Sequence, residues 1–256
     1  MQKKILYCFL FLQFSFVIAQ QPKRVLLPKK VYQVYEAGRS LSHEYFYAGT
    51  KLKRIDFYSV MGLQRSLEFT YTKNLITNIK YIEKDSEAQI KYFYDSTAKL
   101  KKELRIYSRF DSLVTTYKHP SKDETNTKEY RPVYNSMWER NLSYKNGNRT
   151  REFIGKNQLI SRIYDSKPNP HTNITGFRSR INIIEISYWS DSRNNITEEL
   201  NKGYGDVLQL FRNIYTYNND GYPERIESQA RQGCIDCKPI TYFYEFEYME
   251  YMPQKE

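Results

Sequence analysis

Runs of alternating apolar and polar residues, each ending on a tyrosine and a polar turn, recur along most of this chain. The clearest is IYTYNNDGYPERIE, Ile214 to Glu227, in which Asn218-Asn219-Asp220-Gly221 separates two aromatic-aliphatic runs. Gly tolerates positive φ and Asn or Asp bonds nearby backbone groups, so this stretch predicts a β-hairpin. Tyr45 to Tyr58 repeats the pattern, with Gly49 in the turn and Ile55 and Phe57 on one face of the returning strand. Phe69 to Ile82 repeats it again, and so does KYFYDSTAKLKKELRIY, turning at Asp95 to Ala98. In the return strand of that last unit Leu100, Leu104 and Ile106 are set against Lys101, Glu103 and Arg105, which predicts one buried and one wet face.

The tyrosines before successive polar turns are Tyr47, Tyr71, Tyr94, Tyr117, Tyr144, Tyr164, Tyr188 and Tyr217, with Tyr244 in the last strand. A spacing of about 24 residues accommodates two strands and two short connections. Regular self-similarity of this kind marks an array of supersecondary units. Composition agrees: 25 Tyr and 14 Phe suit a pleated, half-buried surface. The fold class expected is therefore all-β, an antiparallel meander of about eight hairpin repeats forming an open or curled sheet. The alternative is a closed barrel, since eight hairpins make sixteen strands. Against a membrane barrel, Lys53 and Arg54 put charge on both faces of one strand, and the chain ends Pro253-Gln254-Lys255-Glu256 without a terminal aromatic.

Tyr92-Phe93-Tyr94-Asp95, and Tyr215-Thr216-Tyr217-Asn218 with Gly221, resemble the tyrosine-rich hairpin repeats of exported Gram-negative proteins, similar in pattern to the YD repeats of RHS-type proteins. The resemblance covers roughly residues 41–249. It implies a scaffold and carries no catalytic residues.

Residues 1–19 read as a signal peptide, with Lys3 and Lys4 before an apolar run and Val17-Ile18-Ala19 as the cleavage pattern. Residues 20–40 form a basic lead segment, in which Val31 to Tyr35 has the makings of a first strand, and 41–252 the repeat domain. Export to the periplasm, the outer membrane or the medium follows. Loss of Lys3 and Lys4 leaves 38 basic residues against 29 acidic, so the net charge falls from +11 to +9. That balance attracts anionic surfaces weakly, a membrane surface included. Its spread through turns and alternate strand positions favours solvated faces over a nucleic-acid groove.

The sharpest local motif is Cys234-Ile235-Asp236-Cys237. Without a second pair or a nearby His, and in an exported chain, it reads as a disulfide, Cys234 to Cys237, before an active dithiol. His43, His119 and His171 are the only histidines, and nothing in their spacing gathers them into a metal or nucleophile site. No cofactor is expected. Glu185, Glu198, Glu199 and Asp206 leave carboxylate chemistry open, since separation in the fold decides it. Trp138 and Trp189 stand beside interruptions of the repeat, where an aromatic can stack on a sugar. The irregular stretches His119 to Lys128 and Asp165 to Gly176 read first as tolerated insertions. The functional expectation is a non-enzymatic envelope protein that binds or scaffolds, with a glycan or a protein as partner and with pairing between chains through open sheet edges. The alternatives are an outer-membrane β-barrel, and a glycosidase or thiol oxidoreductase.

Overall fold

The computed structural model describes residues 24–83, 86–108, 110–177, 192–203, 206–233 and 237–253; the signal peptide expected at 1–19 lies outside them. The first eight strands are β1 (Val25–Tyr35), β2 (Gly38–Ala48), β3 (Lys51–Ser59), β4 (Gly62–Thr72), β5 (Leu75–Glu83), β6 (Glu87–Tyr94), β7 (Leu100–Ser108) and β8 (Asp111–Ser121). The other eight are β9 (Glu124–Arg131), β10 (Ser136–Lys145), β11 (Asn148–Ile154), β12 (Gln158–Pro168), β13 (Asn194–Gly203), β14 (Asp206–Tyr217), β15 (Pro223–Gln232) and β16 (Ile240–Tyr251). Each pairs antiparallel with its neighbours in sequence, and β1 pairs with β16, which closes the barrel.

Closure corrects the open or curled sheet and realises the alternative. Counted from residue 41, the repeat supplies β2 to β16 and leaves an edge at each side. The lead segment supplies the missing strand, longer than Val31 to Tyr35, and sets Val31 opposite both Phe246 and His43. No edge remains for pairing between chains, so that route to an oligomer is removed.

The hairpin repeat has a physical cause at one end of the barrel, where even-numbered strands turn into odd-numbered ones. A register shift falls immediately before Tyr47, Tyr71, Tyr94, Tyr144, Tyr164 and Tyr217. Such bulges bend the strand and re-aim the side chain. The re-aimed hydroxyl then donates to a backbone carbonyl of the preceding strand: Tyr47 to Pro28 at 2.8 Å, Tyr94 to Ile76 at 2.7 Å, and Tyr164 to Arg149 at 2.6 Å. In the last two repeats the donor is Tyr215, to Ile196, and Tyr248, to Pro223, both at 2.6 Å, in place of Tyr217 and Tyr244. His119 does the same work in β8, its Nε2 lying 2.7 Å from the Leu100 carbonyl oxygen. The polar residue after the tyrosine organises the turn. Asp95 Oδ1 accepts from the Thr97 hydroxyl and from the amides of Thr97 and Lys99, and the Thr97 hydroxyl foremost holds the carboxyl below its usual range. Asn218 accepts in the same way from the amides of Asp220 and Tyr222.

Paired residues share a face, so the register sorts the wall into an inside and an outside. Tyr45, Ile55, Leu67, Tyr81 and Ala88 follow one another across five strands on the inner face. With Leu27, Val31, Leu52, Ile76, Ile79, Ile90 and Phe246 they make an apolar core that fills one half of the interior. The outer row beside them runs Phe46, Arg54, Glu68, Lys80 and Gln89.

The stretch Asp165 to Gly176 is no tolerated insertion. After β12 the chain enters the interior through a short 3-10 turn, Pro170–Asn173, and buries Asn169, His171, Ile174 and Phe177. Phe177 packs between Phe69 and His171, the Thr175 amide donates to the Thr50 carbonyl at 2.9 Å, and the Asn173 amide to the Leu26 carbonyl at 2.9 Å. This segment plugs the barrel at the tyrosine end, called the plug end below. By contrast, His119 to Lys128 is an ordinary hairpin between β8 and β9.

Tyr94→Phe is expected to leave the Ile76 carbonyl without its donor and to cost about 1–2 kcal/mol in urea unfolding. Acid is expected to loosen the plug. Burial, and then the charge on His43, depress the His171 pKa to about 3; burial, and then Arg65, depress that of His43 to about 4. Both rings are neutral in the fold and take up a proton on unfolding, so their stabilisation is complete above about pH 6.5 and declines as pH falls towards the folded values. At pH 5 each contributes about 2 kcal/mol less than at pH 8. Urea midpoints from pH 8 to pH 5 measure the slope, which His171→Phe should roughly halve.

Candidate functional site

The other half of the interior is polar. Along the inner face Tyr92 is followed by Glu103, Thr115, Glu129 and Trp138 on successive strands. Glu103 and Arg105, which the alternation sets on the wet side of β7, are buried inside and ion-paired with each other. Leu104 and Ile106 face outward instead. The Tyr117 hydroxyl donates to Glu103 at 3.0 Å.

Beyond this pair lies a network of charges from five strands, β9 to β13. Arg140 reaches Glu152 at 2.9 Å and Glu129 at 3.0 Å; Arg162 reaches Glu199 at 2.6 Å and Glu152 at 3.5 Å; Arg149 lies 3.6 Å from Glu152. Burial alone would raise the Glu152 pKa, but Arg149, Arg162 and Arg140 hold its carboxyl below the usual range. Such a network is weak evidence for stability, because desolvating the charges cancels much of their attraction. What it secures is a polar interior wall. This wall opens at the end opposite the plug, called the tip end, where Trp138 is 44% exposed and the Arg140 side chain 31% exposed. Gln158 Nε2 donates to Asn201 at 3.0 Å on the same inner face. An exposed indole, an amide pair and carboxylates interleaved with guanidiniums are groups that bind hydroxyl-rich molecules by stacking and hydrogen bonds.

The residues singled out in the sequence are mostly kept apart. Glu199 points inward to Arg162, whereas Glu198 is outside, 3.1 Å from Arg212, so the two are not a carboxylate pair. Asp206 opens β14. Glu185 and Trp189 lie outside the described residues. Cys237 is exposed on the connection from β15 to β16, and its expected partner Cys234 lies outside the described residues. Two histidines do lie on the apolar side: His43 packs against Phe57, and His171 stacks on Phe177 and sits 3.2 Å from the Tyr45 hydroxyl. Among the described residues no group of three His, Cys, Asp or Glu is arranged to hold a metal. Sequence reasoning missed the Glu103–Arg105 pair because these residues alternate with Leu104 and Ile106 on a strand whose apolar side was taken as the inner one, and no local pattern joins Glu129, Arg140, Glu152, Arg162 and Glu199 across their strands.

At the plug end a cavity of about 460 Å³ is lined by Arg24, Leu26, Asn173, Arg193 and Tyr222 among others. Arg24 is already bound there by Asp220 at 2.6 Å and Glu250 at 2.7 Å.

Glu152→Ala is expected to leave three guanidiniums short of a partner and to destabilise the barrel by about 3–5 kcal/mol in urea.

No family model and no curated protein matches the sequence. Among solved structures the chain is similar to a porin-like protein from Bacteroides uniformis ATCC 8492, with a TM-score of 0.55 and 11% identity over 89% of this chain and 98% of that one. A porin-like protein from Bacteroides vulgatus ATCC 8482 aligns with a TM-score of 0.44 and 10% identity over 88% and 99%. At the first of these values the likeness is one of fold: a sixteen-strand antiparallel barrel similar to that of a porin-like protein.

Proposed function

We propose that this chain is an exported barrel of the cell envelope that binds a glycan at its polar mouth and does not serve as a diffusion pore. The observation that carries this reading is the polarity of the wall. A barrel that crosses a bilayer turns an apolar band about 25 Å tall to the lipid and a polar surface inward. Here the outer face carries charge around the circumference, with Arg54, Lys80, Lys128 and Glu198 in the middle of their strands. Arg54 pairs with Asp56 at 3.1 Å, Lys80 with Glu87 at 2.9 Å, Lys128 with Glu139 at 2.7 Å, Glu198 with Arg212 at 3.1 Å, and Arg39 with Glu245 at 3.2 Å. Each lipid-facing Lys or Arg at the midplane costs about 2–4 kcal/mol, and each Asp or Glu less. Inside, the apolar core and the plug fill the half that a pore would keep open. Trp138 and the polar groups beside it supply the ligand chemistry, and the export signal read at 1–19 supplies the compartment.

A second reading, an outer-membrane β-barrel, is favoured by the even number of strands and by the porin-like fold of the structural neighbour.

Alkaline carbonate extraction of expressing cells and planar-bilayer recording separate the two readings. Release by carbonate with no stepwise conductance is expected; retention with discrete conductance steps decides for the second reading. For the ligand, a Trp189→Phe protein leaves Trp138 as the lone tryptophan. Its emission should shift on titration with soluble envelope oligosaccharides, and an unchanged spectrum would remove the glycan from the proposal.

A further inference from the structure

The two ends of the barrel differ sharply in chemistry. At the plug end the short connections are Gly49-Thr50, Lys73-Asn74, Lys122-Asp123 and Asn146-Gly147, all of them polar turn formers. At the tip end three of the connections carry exposed apolar or aromatic residues. Between β3 and β4, Val60 is 84% and Met61 88% exposed; between β7 and β8, Phe110 is 81% exposed. Val133 and Tyr134, between β9 and β10, and Tyr35, at the turn from β1 to β2, are exposed as well. A turn needs none of these side chains, and scattered single apolar residues would not gather at one end.

We infer that the tip end rests on a lipid surface, with these apices sunk into the headgroup and upper acyl region while the charged wall stays in water. The shape selects a bilayer over a folded partner: the residues project from separate hairpins rather than from one continuous face, and the cavity of about 270 Å³ at this end, lined by Tyr81, Glu83, Ala88 and Arg105 among others, takes in none of them. The chemistry agrees. Aromatic side chains with a polar end are the ones enriched at membrane interfaces, and the Arg131 guanidinium, paired with Asp111, lies 4.8 Å from the Tyr134 ring centre and 5.5 Å from that of Tyr107. Lys156 and Lys238 stand exposed in two other connections of this end, against Glu36 in the first. The chain as a whole carries net charge +11, +9 without Lys3 and Lys4, which suits an anionic bilayer. Apolar burial and attraction to anionic lipid add, so neither has to be large.

This inference rests on the water-facing wall of the preceding subsection, and the test keeps the two distinguishable. The full chain without residues 1–19 is floated with vesicles of phosphatidylcholine alone and with phosphatidylglycerol added, beside a Val60→Ser/Met61→Ser variant and a Phe110→Ser variant whose thermal melts match the parent. Binding to the anionic vesicles, weakened about tenfold for each tip replaced, is the expected result. Failure of the parent protein to float, or flotation unaffected by the substitutions, overturns it. A doubled mass in light scattering that the variants abolish, without flotation, also overturns it and makes the rim a contact with a second copy. Vesicle-bound protein that withstands carbonate overturns the water-facing wall and, with it, this inference.

Discussion

A hydroxyl donated from one strand to the backbone of the strand before it is the contact on which the barrel depends. On β2, β6, β12, β14 and β16 a tyrosine near the plug end turns its ring inward so that the hydroxyl meets a backbone carbonyl of the strand before. The arrangement settles three matters at once. It satisfies a backbone acceptor that burial would make costly, it fixes the register of the hairpin, and it brings a large ring into the interior. Register in turn decides which side of every strand is wet. A slip of one residue would exchange Leu67 for Glu68 and the core for the surface.

Much of this could be read from the chain, and the part that could not has a definite cause. The period, the tyrosines and the polar turns report a local chemistry that each repeat performs by itself, so they stand out in the sequence. Closure is non-local: it depends on whether β1 finds β16, and no feature of Val25 to Tyr35 announces a partner at the far end of the chain. The polar half of the interior was hidden for another reason. Alternation says that Leu104 and Glu103 lie on opposite faces but not which face is inside, and the usual assumption placed the leucine there. The buried Glu103–Arg105 pair reverses that assignment in β7, and β10 to β13 continue it.

The interior is therefore divided lengthwise into two environments with different tasks. On the apolar side, packing against the plug supplies cohesion, and Phe177 and His171 belong to the core as fully as any strand residue. On the polar side, carboxylates and guanidiniums hold one another in fixed positions and leave Trp138 accessible at the mouth. Charges kept dry in one half are affordable because the other half is densely apolar. The Trp138 mouth and the apolar tips share an end, so a molecule reaching the indole passes the hairpins that carry Val60, Phe110 and Tyr134.

The closing seam also bears on how the barrel comes into being. Val31 cannot meet Phe246 until almost the whole chain is present, so this one non-local seam is the slow step in a fold whose other ladders join neighbours in sequence. Until then β1 is an open edge, of the kind that recruits other chains. Pro28 lacks an amide to offer there, and Lys29 and Lys30 place charge beside it, so the waiting strand carries its own protection against premature pairing.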